Sequence, residues 1–319
     1  MALIRRFPPP SKGAGQQGVV LLAFGGPEAL DEVPSFLSSV IGRLPPASVE
    51  HEVVERYREL GGRSPLPQTT RLQAALLRSE LGRRRFDWSV YVGMLHARPF
   101  IEEAVEEMAR DGITDLVAIS MTPYRAAVST GSYERRLRQM LAKHGMEPHL
   151  RLPPDWHLHP LYLEGLADVL RGCLNRIPQE ERPTSVVFTA HSLPVSAVEA
   201  GDPYADQLRA TAEALAEGLD LEDWRLGYQS VSSVAKEPWL GPEVEEVLDE
   251  LKGTGRRSAV VYPIGFLADH LETLYDNDIV HREHAERIGL AFYRPPCLNE
   301  HPLLIQALAD LAIATAAGH

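Results

Sequence analysis

The sequence predicts an α/β protein of two similar Rossmann-like units, each a parallel sheet flanked by helices with the working cleft between them. Three observations carry this. Apolar runs at 19–23 (VVLLA), 115–120 and 185–190 show little polar alternation, the pattern of strands buried on both faces. Helical stretches separate these runs, and strands joined that way lie parallel. A proline-rich break at Pro148, Pro153, Pro154 and Pro160 then divides the rhythm into two.

Residues 1–17 form a tail with two arginines but no apolar centre or cleavage site, so no signal peptide is expected. Gly13, Gly15 and Gly18 spell GxGxxG, but the motif precedes a strand instead of following one, so it is rejected as a dinucleotide fingerprint. The unit 18–150 starts with strand 19–23. Phe24-Gly25-Gly26-Pro27 follows, where two glycines allow close approach to a ligand. Ser48 caps a helix to Leu60, and 66–81 is a second helix. Strand 89–95, helix 100–110, strand 115–120 and helix 133–143 complete this unit, with Gly145 closing the last helix. The unit 151–302 holds helices 161–174, 205–218 and 243–252 among strands 185–190, 224–229 and 258–264. A terminal helix, 303–319, packs back on the first unit.

At 319 residues the chain has room for two domains, and 44% hydrophobic with 24% charged residues is a globular balance. Nothing approaches the roughly 20 apolar residues of a membrane helix. Two cysteines, Cys173 and Cys297, give no disulfide framework and cannot supply the four thiolates of an iron–sulfur cluster. The cytoplasm is the expected location. A formal charge of −12 argues against nucleic acid as a partner and suits the handling of a cation.

Two stretches carry the chemistry. TSVVFTAHSLP (184–194) is a strand that stops on His191, at the carboxyl edge where open α/β sheets bind ligands. A histidine there serves as a base or metal ligand; local capping of the strand is the plainer alternative. YPIGFLADHLETLYDND (262–278) leaves the same edge. Read as an α-helix, it lines up Asp269, Glu272 and Asp276 in an acidic stripe, and the apolar neighbours of Glu272 predict a raised pKa. Ser–His–acid hydrolysis is disfavoured because no GxSxG elbow occurs, and zinc hydrolysis because HExxH is absent. His157 and His159 form an HxH pair without a third ligand. Metal insertion or removal remains, with His191 and Glu272 holding a divalent cation or taking up protons.

TAHSLP, PIGFLADHLETLYDND, QS…EPWLGP (229–242), RYRELGGRSPL (56–66) and GDPYADQL (201–208) together resemble ferrochelatase, in order, from about Val19 to Leu311. The resemblance implies insertion of Fe²⁺ into a porphyrin in haem biosynthesis, with Fe²⁺ as substrate and no prosthetic group. It implies His191 as iron ligand or proton acceptor and Glu272 as its partner across the ring. Arg56, Tyr57, Ser64 and Tyr133 match porphyrin contacts. Phe24 stands where related bacterial members often carry a metal-facing tyrosine, and Val40-Ile41 where they place an arginine. Asp269 and Asp276 would extend a proton or metal relay. The short 36–56 segment, without a long apolar lip, resembles members using coproporphyrin III, whose propionates Arg43, Arg56, Arg125 and Ser64 would meet; protoporphyrin IX stays open. A tetrapyrrole carrier and a chelatase for another divalent metal are the alternatives, and transient contact with neighbouring haem-pathway enzymes is an expected partnership.

Overall fold

The computed structural model describes residues 16–231 and 237–318. Most of the tail, including Gly13 and Gly15, lies outside these, as does the middle of the 229–242 stretch.

Two four-stranded parallel sheets form the frame. β1 (Gln16–Ala23), β2 (Ser89–Met94), β3 (Ile113–Ser120) and β4 (His149–Arg151) are ordered β2-β1-β3-β4. β5 (Thr184–His191), β6 (Trp224–Gln229), β7 (Ser258–Tyr262) and β8 (Ala291–Tyr293) repeat the order as β6-β5-β7-β8. In each sheet the chain reverses direction of growth beside its first strand, which opens a crevice at the carboxyl edge. The three-residue edge strands β4 and β8 carry too few residues for a recognisable period. β7 ends at Tyr262 because Pro263 has no N–H for the ladder.

Helices α1 (Val33–Ile41), α2 (Ala47–Glu59), α3 (Leu66–Arg83), α4 (Ile101–Asp111) and α5 (Thr130–Lys143) belong to the first half. Helices α6 (Pro160–Leu174), α7 (Val195–Glu199), α8 (Tyr204–Gly218), α9 (Val244–Gly253), α10 (Arg282–Arg287) and α11 (Pro302–Ala316) follow in the second. Between α9 and α10 runs a π-helix, Glu272–His281. α2 starts at Ala47 behind Pro46, so the expected Ser48 cap is not used.

The strands alternate between layers. Leu21 and Ile119 of the first sheet share one core with Val186, Phe188, Val260 and Tyr262 of the second, together with α3, α6, α8 and α11. The opposite face of the first sheet is covered by α4 and α5, and that of the second by α9 and α10. α11 packs against both α3 and α6. Arg84 pairs with Asp310, and Gln73 Nε2 donates to the Asn299 carbonyl at 2.6 Å. The central core therefore spans both halves.

Candidate active site

His191 is the last residue of β5, one step from the backbone of β6 at Gln229. Its Nδ1 lies 2.5 Å from the Ser192 carbonyl oxygen. A carbonyl only accepts, so Nδ1 carries the proton and the neutral ring presents a bare Nε2. Local capping and chemical availability thus coexist in one ring. Nε2 faces Glu272 Oε1 at 3.8 Å. The Trp239 ring stands 6.2 Å from the imidazole, and the Tyr204 hydroxyl donates to the His191 carbonyl at 3.0 Å.

Close packing at Gly265 makes this approach possible. A Cβ there would fall 2.4 Å from the Ala190 Cβ, and Gly265 N–H donates to the Thr189 carbonyl at 3.0 Å. The segment after β7 therefore crosses directly over the end of β5 and delivers Glu272 to His191. From Glu272 the chain winds as a π-helix, not as the α-helix the sequence suggests, so the expected stripe is re-cut. Asp269 falls before the helix and is tied elsewhere. Its carboxylate accepts from Arg294 Nη1 and Asn299 Nδ2 at 2.8 Å each and from Thr273 Oγ1 at 3.2 Å. Asp276 stays in the cluster, accepting from Ser230 Oγ at 2.6 Å. Ser230 reaches it from a left-handed backbone (φ 59°), a conformation costly for a residue with a side chain.

Sequence reasoning missed His270. Its Nδ1 donates to the Ala268 carbonyl at 3.1 Å and its Nε2 faces Glu272 Oε2 at 3.7 Å, so Glu272 lies between two imidazoles. That reverses the expected raised pKa. Burial pushes the Glu272 carboxyl up, but the His191 and His270 rings, in their protonated forms, outweigh it and bring it down to about 2. Burial lowers the His270 pKa, but Glu272 overcomes this and raises it. Asp276, buried beside the Glu272 charge, is pushed up to about 6. The site therefore holds a carboxylate that stays ionised beside one that titrates near neutrality.

The first half brings side chains to this cluster. Tyr57 and Tyr133 are buried, and burial, with the Glu272 charge adding to it, raises the hydroxyl pKa of each. The Arg56 guanidinium lies over the Tyr275 ring at 5.1 Å and pairs with Glu52 at 2.5 Å. Ser64 is buried beneath Gly26, where a Cβ would come within 2.6 Å of it. Gly25, at φ 93°, packs likewise on Ala97, so the two glycines admit protein and not a ligand at these contacts. Phe24 stacks edge-on against His96 at 4.7 Å and Phe36 at 6.1 Å. Val40, Ile41 and Leu44 are exposed, Leu44 by 85%, a short apolar tip between α1 and α2.

A cavity of about 720 Å³ opens beside the end of β3, lined in part by Ser120, Arg125, Thr130, Arg135 and Asp202. His191 and Glu272 do not line it, and the Arg125 in its wall pairs with Asp155 at 2.7 Å. Glu102, Glu106 and His144 also group with metal-ligand chemistry, their donor atoms within 4.8 Å of one another. Lys143 pairs with Glu102 there and Arg136 stands 3.9 Å from it, so the chain's own cations neutralise that group. His191, His270, Glu272 and Asp276 group two imidazoles with two carboxylates at the end of β5 and past the end of β7. Among the described residues no helix is long and apolar enough to cross a membrane.

The fold is similar to that of SirB from Bacillus subtilis with Fe³⁺ (TM-score 0.60, 13% identity, 95% of this chain and 96% of that one). It is also similar to CbiX, the terminal enzyme for biosynthesis of siroheme in denitrifying bacteria (TM-score 0.56, 15% identity, 93% and 98%). At the sequence level the chain is 39% identical over 298 residues to the ferrochelatase of Deinococcus radiodurans, covering 92% of this chain and 94% of that one. It is 37% identical over 301 residues to the coproporphyrin III ferrochelatase of Geobacillus kaustophilus, covering 93% and 95%. The family model for ferrochelatase matches residues 16–316, across both sheets and every residue of the His191–Glu272 cluster. The chain belongs to the ferrochelatase family.

Proposed function

We propose that this chain inserts Fe²⁺ into coproporphyrin III, releasing two protons, as a step of haem biosynthesis in the cytoplasm. The observation that carries the reading is the bare Nε2 of His191 facing an ionised Glu272 at 3.8 Å. A porphyrin loses two N–H protons as the cation enters, so a neutral base must stand at the ring centre. His191 Nε2 takes a pyrrole proton, and the Glu272 carboxylate stabilises the imidazolium that results. Each such step leaves one pyrrole nitrogen free to bond iron, and two steps balance the charge of Fe²⁺.

Protons leave along the π-helix. Asp276, with its pKa near 6, exchanges protons with solvent close to neutral pH. Asp269 is held by Arg294 and Asn299, so the relay runs through Asp276 alone. His270, bonded through Nδ1 to a carbonyl, keeps Glu272 ionised between turnovers. Tyr57, Tyr133 and Phe24 form aromatic walls for the ring, and Trp239 flanks His191. Phe24 has no ligating atom, so the iron receives no axial donor from that position.

Coproporphyrin III is favoured by the names of several relatives and by the cationic side chains of the first half, Arg43 and Arg56 among them. Anaerobic incubation with Fe²⁺ and either coproporphyrin III or protoporphyrin IX, followed by absorption, tests this. The expected result is faster metalation of coproporphyrin III by about tenfold or more, the effect of one charge-assisted contact of about 1.4 kcal/mol or better. Equal or reversed rates would reject the choice of ring, and no metalation of either would reject the reaction.

A further inference from the structure

We infer that Gln229 is a positioning residue that sets the separation of His191 and Glu272. The inference rests on the metal-insertion reading above. Gln229 ends β6 directly opposite His191 and is 3% exposed. Its main-chain carbonyl accepts from Ser192 N–H at 2.9 Å, and the Ser192 carbonyl in turn orients the His191 ring. Its side chain reaches the other partner, with Nε2 donating to the Glu272 carbonyl at 2.7 Å.

The amide orientation is fixed by its neighbours. Oε1 accepts from Thr189 Oγ1 at 2.9 Å and from Asn277 Nδ2 at 3.2 Å, both donors, while the Glu272 carbonyl can only accept. Asn277 is held in turn by His281, whose Nδ1 lies 3.0 Å from its Oδ1. One buried amide therefore joins the end of β5 to two successive turns of the π-helix. Glu272 opens the π-helix, so the Gln229 amide fixes the position from which that helix starts. An external donor on the Glu272 carbonyl holds the residue that faces the base.

Gln229 touches neither imidazole nor carboxylate, so its loss should slow chemistry and leave porphyrin binding alone. The full chain carrying Gln229→Leu, and separately Thr189→Val, is assayed anaerobically with Fe²⁺ and coproporphyrin III. Porphyrin Kd is read from tryptophan quenching and folding from circular dichroism. Partners that orient a metal-facing group typically matter by roughly 10- to 100-fold, and that fall in kcat is expected for Gln229→Leu with Kd within about twofold of the parent. Thr189→Val removes one neutral hydrogen bond to Oε1 and should lower kcat by about 2- to 10-fold. Should Gln229→Leu fail to fold, Thr189→Val decides alone. Unchanged kcat in the folded variants, or a Kd that weakens while kcat holds, overturns the inference. A parent chain that binds porphyrin without metalating it defeats the functional reading instead, so the two failures are separate.

Discussion

The two halves of this molecule share one topology and differ at the strand ends. β1 and β5 occupy equivalent places, each the second strand of its sheet, each ending at the crevice. β1 runs into Phe24, packed on Phe36 and His96; β5 ends on His191. After β3 the chain makes a loop and the regular helix α5, which buries Tyr133 in the core. After β7 it crosses the strand end at Gly265 and enters a π-helix that carries Glu272 and Asp276. One sheet edge thus ends in a packed aromatic group and the other in a group of imidazoles and carboxylates. The difference lies in the residue at the strand end and in the pitch of one helix, not in the frame.

Removing the base breaks the contrast most directly. His191→Ala should lower metalation by about 10²- to 10⁴-fold, the range for loss of a general base. The ring is about one-third exposed and, among the described residues, its side-chain hydrogen bond is the local one to Ser192, so circular dichroism should be unchanged. Near-normal turnover in the folded variant would mean that the second half does not carry the base.

Asp276 offers a smaller effect with a definite pH sign. Its folded pKa of about 6 lies above that of an unfolded aspartate, so the protonated form is favoured by folding. Its contribution to stability is present below about pH 4 and is lost as pH rises through about 6. Asp276→Asn should match the parent near pH 4 and be more stable at pH 8, by on the order of 1–3 kcal/mol in chemical denaturation. Turnover should show the opposite trend, with the variant several-fold slower above pH 6 and converging with the parent below it. Parallel pH profiles would remove Asp276 from the relay.

The smallest change tests the first half. Phe24→Tyr adds a hydroxyl to the wall without altering its stacking on His96. Turnover should stay within about twofold, since the base and its partners are untouched, while a phenol that reaches the iron should shift the visible spectrum of the product. A turnover loss as large as that of His191→Ala would make the first half a chemical partner instead of a wall.

Much of this was legible in the residues. Strand 224–229 is recovered to the residue, and His191 is readable because an apolar run ends on it and a proline follows shortly after. The π-helix was not, because period reading assumes one pitch, and an extra residue per turn moves every side chain to a new face. Asp269 looked like a member of the stripe for that reason; its partners Arg294 and Asn299 lie on a later segment that no local pattern connects to it. His270 was hidden beside the carboxylate it holds ionised, although an HxE spacing was available to flag it. Gln229 showed only as the end of a strand. Its function depends on what three other segments bring to one amide, and that is a property of the assembled fold.

The terminal helix α11, wedged against α3 and α6 within the shared core, has a consequence for how the protein comes apart. A protease that nicks the proline-rich crossing near 153–154 severs the chain but not the particle, since the second fragment still holds the first through Leu308, Leu311 and the Arg84–Asp310 pair. The nicked protein should elute as one species until denaturant is added, and then release two fragments together. Evolutionary exchange of one half for a foreign sheet would meet the same obstacle, because the fifteen residues of α11 form part of the first half's wall.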